Sequence, residues 1–327
     1  MSRRLTVRRQ SWPIAGSFSI SRGSKTSADT LIVEISEGSS FGRGECVPYA
    51  RYGETLDSAE AAIAKAISLV ADGADRSVLA ASMPAGAARN AVDCALWDLE
   101  AKLAGRPAWQ LAGLQPPTPV ETAFTISLDT VEAMGRSAAK SADKPLLKLK
   151  LTGEGDVERV AAVRENAPNS RIVVDANEAW TESQLNAFVP ALAALGVEMI
   201  EQPLPAGADD ALAGYDGPIT LCADESCHGR ESLGTLAGKY GMVNIKLDKT
   251  GGLTEALALR AAARSAGFEV MIGCMLASSL AMAPAVLLAQ DAEIVDLDGP
   301  LWLAEDYEPP LAIDGATILP PDAGLWG

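Results

Sequence analysis

The chain predicts an α/β protein built as a TIM-type barrel with a smaller α+β domain in front of it. Three features carry that prediction. Strand-like segments give way to helical ones before residue 111, a proline-rich break follows at 115–119, and from Val120 short apolar runs alternate with helical stretches. At 327 residues, 48% apolar and 21% charged, the chain has the material for one barrel and an appended domain.

The elements follow in chain order. Between Arg4 and about Val47, LTVRRQSW, TLIVEI and FGRGECV are separated by Gly, Ser and Asp clusters, which predicts a three-stranded meander. Between about Leu56 and Leu111, SAEAAIAKAISLVADG and AARNAVDCALWDLEAKLAG place apolar residues three or four apart and stop at glycine, as helices do. Gln115-Pro116-Pro117-Thr118-Pro119 reads as a linker. Beyond it, LLKLKL, DVERVAAVRENA, RIVV and ESQLNAFVPALAALG set a rhythm that implies parallel strands joined by helical crossovers. Seven or eight such units reach about Asp298, enough for a barrel. A doubly wound open sheet is the competing arrangement, but no strand-to-helix turn carries GxGxxG or a P-loop. The expected division is a capping domain over 1–115, completed by a tail over about 300–327, and a barrel over 116–299.

The formal charge of −16 repels phosphate backbones and anionic lipid, so neither nucleic acid nor membrane is an expected partner. The basic opening MSRRLTVRRQSW is followed by no apolar run of signal-peptide type, and no stretch of about 18 apolar residues occurs, which predicts a cytoplasmic protein. Cys46, Cys94, Cys222, Cys227 and Cys274 are an odd number without C-x-x-C spacing and read as reduced thiols. His228 is the single histidine, which excludes a multi-histidine metal site and leaves lysines and carboxylates to do any chemistry.

Those side chains recur where strands end. Lys148 and Lys150 lie in LLKLKL, Asp175 ends RIVVD, Glu201 ends VEMIE, Asp224 follows ITLCA, and Lys246 follows MVNI. From Lys150 onward they are 25, 26, 23 and 22 residues apart, each about one βα unit, so they converge at the C-terminal mouth of the barrel. Any one of these acids reads equally well as a helix cap or an ion-pair partner. Three in register, without histidine or thiolate, make a hard oxygen site suited to Mg²⁺. Lysines on either side suggest proton abstraction from carbon, with each base needing a pKa lowered toward working pH by a cation and partial desolvation. Lys249 competes with Lys246 for that role, and a surface position is the plain alternative for Lys246.

In this order, K-x-K, D-A-N, E-Q-P, A-D-E-S and I-K-L-x-K-x-G-G resemble the muconate-lactonising branch of the enolase superfamily. RYGE, PAGAARNAVDCALWDLEAK, ADESCHGR and NIKLDKTGGLTEALAL are similar to the bacterial L-Ala-D/L-Glu epimerases, across nearly the whole chain. The resemblance implies a modified (β/α)₇β barrel with an α+β cap, and an isomerase that needs Mg²⁺ and takes a small dipeptide, with a role in murein peptide metabolism. It implies Asp175, Glu201 and Asp224 as metal ligands and Lys148 as a partner of the substrate carboxylate and enolate. Lys150 then acts on the R configuration and Lys246 on the S configuration, with Thr125 against the substrate. Asp296 and Asp298 in IVDLDGP share a face of the last strand and suit the dipeptide ammonium group, with a turn at the strand end as the plain alternative, and Cys274 lines the pocket or is a buried structural thiol. Where some relatives hold the glutamate side chain with an arginine, this chain has Gly23 flanked by Arg22 and Lys25, which leaves the second residue open. A homo-oligomer is compatible with all of this. The competing functions are muconate cycloisomerisation or o-succinylbenzoate synthesis on the same scaffold, and a non-catalytic binding barrel.

Overall fold

The computed structural model describes residues 2–327. An antiparallel meander comes first: β1 (Arg4–Ile20), β2 (Gly23–Glu37) and β3 (Ser40–Cys46). The first two strands run past the predicted segments as a long arm, whose pairing shifts register between Pro13 and Phe18 and resumes as far as Ile20 and Gly23. Proline has no N–H to give the ladder, so a break there is expected. Helices α1 (Leu56–Ala71), α2 (Arg76–Ser82), α3 (Ala87–Ala104) and α4 (Ala108–Leu111) follow. At the start of α1, Ser58 N donates to the Thr55 hydroxyl and Thr55 N to the Ser58 hydroxyl, a reciprocal cap. α3 lies against β3, and the FGRG sequence explains how closely. A Cβ on Gly42 or on Gly44 would stand 2.2 Å from backbone atoms of α3, so the two glycines let helix and strand touch.

The remaining elements are β4 (Val120–Glu121), β5 (Phe124–Ile126), α5 (Val131–Lys140), β6 (Leu146–Lys150), α6 (Asp156–Asn166), β7 (Arg171–Asp175), α7 (Glu182–Ala194) and β8 (Val197–Glu201). After them come β9 (Thr220–Ala223), α8 (Leu233–Leu236), β10 (Met242–Ile245), α9 (Leu247–Thr250), α10 (Leu253–Ser265), β11 (Glu269–Gly273), α11 (Ser279–Leu288), β12 (Ile294–Asp296), β13 (Ile313–Asp314) and β14 (Thr317–Ile318). Strands β5 to β12 form one parallel sheet in sequence order. Ala123 N donates to Val295 O at 2.7 Å and Leu297 N to the Thr122 hydroxyl at 2.8 Å, which brings the last strand back to the first. The result is a nearly closed eight-stranded barrel with seven crossovers, under an α+β cap.

Two details differ from the sequence reading. The crossover from β8 to β9 contains only a 3₁₀ turn at Asp210–Leu212. The segment at Val120 is outside the barrel: β4 pairs antiparallel with β14 of the C-terminal hairpin. The chain end reaches the cap, where the Trp326 indole donates to Cys94 O at 3.0 Å and Gly327 N to Asp98 at 2.8 Å. No described helix is long and apolar enough to cross a membrane.

Inside the barrel, Ala123, Leu146, Val173, Met199, Cys222, Met242, Met271 and Ile294 form an apolar plug, one residue for each strand. Side-chain direction along a strand repeats every two residues, so the next inward ring is fixed by sequence.

Candidate active site

Counting two residues up each strand from the plug gives Thr125, Lys148, Asp175, Glu201, Asp224, Asn244, Gly273 and Asp296. Asp175, Glu201, Gly273 and Asp296 are the last residues of their strands, Asp224 directly follows β9, Thr125, Lys148 and Asn244 lie within theirs, and two residues further on come Lys150 and Lys246. The apolar plug below and the polar ring above are therefore one sequence pattern, met seven times in eight with Gly273 as the exception. Gly273 leaves room within the ring: a Cβ there would stand 2.6 Å from the Asn244 amide oxygen.

The ring is an ion cluster from which water is nearly excluded. Asp175 and Glu201 are fully buried, and Lys148 is 1% exposed. Lys148 Nζ lies 2.6 Å from Asp296, 2.6 Å from Glu201 and 3.4 Å from Asp175. Lys150 donates to Asp175 at 2.6 Å and Lys246 to Asp224 at 2.7 Å. Asn244 donates to Glu201 at 2.6 Å. Lys249 is buried rather than exposed; it gives its three donors to Asp224 Oδ1, Asp224 O and Asn244 O at 2.5, 2.6 and 2.9 Å, which commits it to holding Asp224.

Burial and charge pull in opposite directions here, and charge decides for most groups. Burial alone would raise Asp175, but Lys150 and Lys148 hold it below the usual carboxylate value. Asp224 is likewise held well down, against burial, by Lys246 and Lys249. Glu201 goes the other way, raised by burial and by the charge of Asp175. The sequence reading expects basic lysines depressed toward neutrality. Burial does act that way on Lys246 and Lys148, yet the acids beside each hold both well above the ordinary lysine value. The cause is the number of carboxylates packed around them without a counter-charge larger than an ammonium group.

Among the described residues, seven buried side-chain atoms lack an aligned hydrogen-bond partner, and five of them are oxygens at this end of the barrel: Asn177 Oδ1, Glu201 Oε2, Glu225 Oε2, Asn244 Oδ1 and Asp296 Oδ1. Buried acceptors without donors are costly, so the site is built to receive cations or hydrogen-bond donors. The carboxylates as they stand face lysines, and among the described residues no three acidic, His or Cys side chains close into a ligand shell.

A cavity of about 690 Å³ opens above the ring. Its barrel wall includes Lys150, Asn177, Asp224, Glu225, Lys246 and Cys274, and its cap wall is formed by the arm from Phe18 to Lys25 and by the segment from Val47 to Thr55. Lys150 and Lys246 thus meet in one space, with Cys274 on its wall. Thr125, Lys148, Asp296 and Asp298 are buried behind that surface. β12 stops at Asp296, so Asp298 stands in the following turn rather than on the strand, accepting from Thr125 N at 2.7 Å and from the Trp302 indole at 3.2 Å. Burial and the charge of Asp296 push Asp298 up to about 6.

The sequence marks Arg22 only as a neighbour of Gly23 and gives no role to Arg51, Gln202 or Asn244, which also stand at the mouth. Arg22 donates to Glu225 at 2.7 Å, to Asn177 O at 2.9 Å and to Tyr49 at 3.0 Å, and Arg51 grips Glu178 at 2.6 and 2.7 Å. Gln202 accepts from Asp224 N and Ser226 N and so fixes the turn that carries Asp224. Asn244 alone had a legible signal, since it lies two residues before Lys246 on the same face of β10.

Residues 133–325 match the family described as enolase C-terminal domain-like, and residues 2–113 the N-terminal domain of mandelate racemase and muconate lactonizing enzymes. The L-Ala-D/L-Glu epimerase of Escherichia coli K12 is 47% identical over 311 residues, 94% of this chain and 97% of that protein. A crystal structure from Agrobacterium tumefaciens, an enolase family member with homology to dipeptide epimerases bound to sodium and L-Ala-L-Glu, is 49% identical; it superposes with a TM-score of 0.98 over 99% of this chain and 100% of that one. A dipeptide epimerase from Methylococcus capsulatus, complexed with Mg and L-Arg-D-Lys, is 31% identical with a TM-score of 0.91 over 98% of each chain. The chain belongs to the mandelate racemase and muconate lactonizing enzyme family of enolase-like proteins.

Proposed function

We propose that the protein is a dipeptide epimerase that interconverts L-Ala-L-Glu and L-Ala-D-Glu by moving a proton between two bases. The observation that carries this reading is the placement of two lysines on one cavity wall, Lys150 on β6 and Lys246 after β10, with acids on the three strands between them. Strands four apart in an eight-stranded barrel face each other, so a flat carbanion held between these lysines presents one face to each. Lys150 serves the R configuration and Lys246 the S configuration.

Asp175, Glu201 and Asp224 suit Mg²⁺: all three offer hard oxygens from successive strands, and Glu201 Oε2 already faces a positive charge, Lys148 Nζ at 2.6 Å. Bound there, the ion supplies Lewis-acid charge for a substrate carboxylate whose negative charge grows as the α-proton leaves. Lys148, buried in the same ring, adds its ammonium charge to that stabilisation. Against burial, Asp224 and Glu201 hold the Lys246 ammonium above the ordinary lysine value; a divalent cation sharing those carboxylates would weaken that hold and favour the neutral amine.

Asp296 Oδ1, buried and without a donor, and Asp298 beside it receive the dipeptide ammonium, with Thr125 and Cys274 flanking the substrate. The glutamate side chain is met by Lys25. On the cavity wall, among the described residues, Arg22, Arg51, Lys150 and Lys246 are each paired with a carboxylate, whereas Lys25 Nζ lies over the Tyr49 ring, 5.9 Å from its centroid. Muconate and succinylbenzoate precursors carry no ammonium for the Asp296 and Asp298 pair, and a purely binding barrel has no use for so many buried charges, which each cost desolvation energy. The test is chiral chromatography of L-Ala-L-Glu incubated with protein and Mg²⁺. Approach to a mixture with L-Ala-D-Glu is expected, and an unchanged dipeptide alongside turnover of a muconate would overturn the reading.

A further inference from the structure

We propose that Trp302 is a positioning residue that aims Asp298 at the substrate amine and ties that aim to the β1–β2 arm. The proposal rests on the reading above that Asp298 receives the ammonium group. Asp298 lies beyond the end of β12, so no strand ladder fixes it; its Oδ2 is held by Thr125 N at 2.7 Å and the Trp302 indole N–H at 3.2 Å. The first donor belongs to the barrel wall. The second is aimed by contacts on two bodies. The Trp302 ring stacks on Phe124 of β5, centroids 6.0 Å apart and 11° from parallel, and meets Phe18 of the arm edge-on at 5.0 Å and 84°. The backbone just after it joins the arm where the β1–β2 register breaks, with Leu303 bridging to Ile14 and Ala304 N donating to Pro13 O at 2.8 Å.

Phe18 also lines the substrate cavity, and Arg22 at the arm's tip is bonded to the barrel mouth. An arm displaced from the mouth therefore moves the ring that steers the indole N–H, and Asp298 keeps its aim only while the arm is seated. The aromatic packing and the donor are separable, because phenylalanine retains the ring between Phe124 and Phe18 and removes the N–H. A hydrogen bond to a charged group is the stronger kind, so its loss is readable.

The experiment compares two ligands of one skeleton, L-Ala-L-Glu and N-propionyl-L-glutamate, which lacks only the ammonium group. In Trp302→Phe, KM for L-Ala-L-Glu is expected to rise about tenfold with kcat within about twofold. The constant for N-propionyl-L-glutamate, as a substrate or as a competitive inhibitor, stays within about twofold. Equal change for both ligands, or none for either, overturns the positioning role. Wild-type protein that binds the two ligands equally would instead overturn the ammonium reading. A measurement on wild-type protein guards against a variant that fails to fold: the ¹⁵N indole signal of Trp302 is expected to shift with L-Ala-L-Glu and stay fixed with N-propionyl-L-glutamate, and no difference between them counts against the proposal.

Discussion

Lys150 and Lys246 reach the same cavity from different surroundings. Lys150 is paired with Asp175 alone, while Lys246 shares Asp224 with Lys249, whose three donors are all committed. Two bases with separate partners predict separable roles. Lys150→Ala is expected to lower epimerisation by about 10²–10⁴-fold, while solvent exchange of the α-proton of the S epimer continues through Lys246. Measuring exchange from each epimer separately checks this, and equal loss from both, in a folded variant, would show that the two lysines act as one unit. These lysines and their acids were legible because strand periodicity and unit length are both local properties of sequence. The Arg22 to Glu225 pair was not, since its partners are 203 residues apart and nothing near either one marks the other.

The meander, the two longer cap helices and the barrel rhythm were readable from apolar spacing and turn residues, and the structure bears them out. What spacing could not convey is how elements are shared. β4 looks like the opening of a barrel strand but pairs with β14, because an isolated two-residue strand takes whichever edge is near. The β8–β9 crossover needs no helix, since Pro203 and Pro205 carry the chain across to a short 3₁₀ turn. Positive φ angles at Asn177, Glu178 and Gln202 put unfavourable backbone just past β7 and β8, beside the ring of acids. At the cap, Gly44→Ala would drive a methyl group to 2.2 Å from Ala91 O, so it is expected to destabilise the fold by about 1–3 kcal/mol in urea titration. An unchanged midpoint would mean that α3 can move off β3 at little cost.

Over the whole molecule, buried carboxylates set opposite pH dependences. Asp175 and Asp224 are held low, so the stability they contribute is present above their ordinary values and lost as pH falls below about 4. Asp248 at the cap–barrel junction is pushed up to about 7 and Asp93 to about 6, chiefly by burial, so the native state binds protons there that the unfolded chain has released, and stability falls as pH rises from about 4 to 7. Asn90 and Val47 N both donate to Asp248 Oδ1, an atom that asparagine retains. Asp248→Asn is therefore expected to flatten that decline and to gain on the order of 1–3 kcal/mol at pH 8 in denaturant titration. A slope identical to wild type would place the titration elsewhere. The cap closes over a mouth whose buried oxygens suit a cation, an arrangement fitted to removing a proton from carbon. Proton NMR of L-Ala-L-Glu in D₂O, with Mg²⁺ and again after chelation, tests it most directly. The glutamate α-proton signal is expected to disappear as the D-Glu epimer grows in, both only with the metal present. An α-proton signal that persists with Mg²⁺ bound would contradict it.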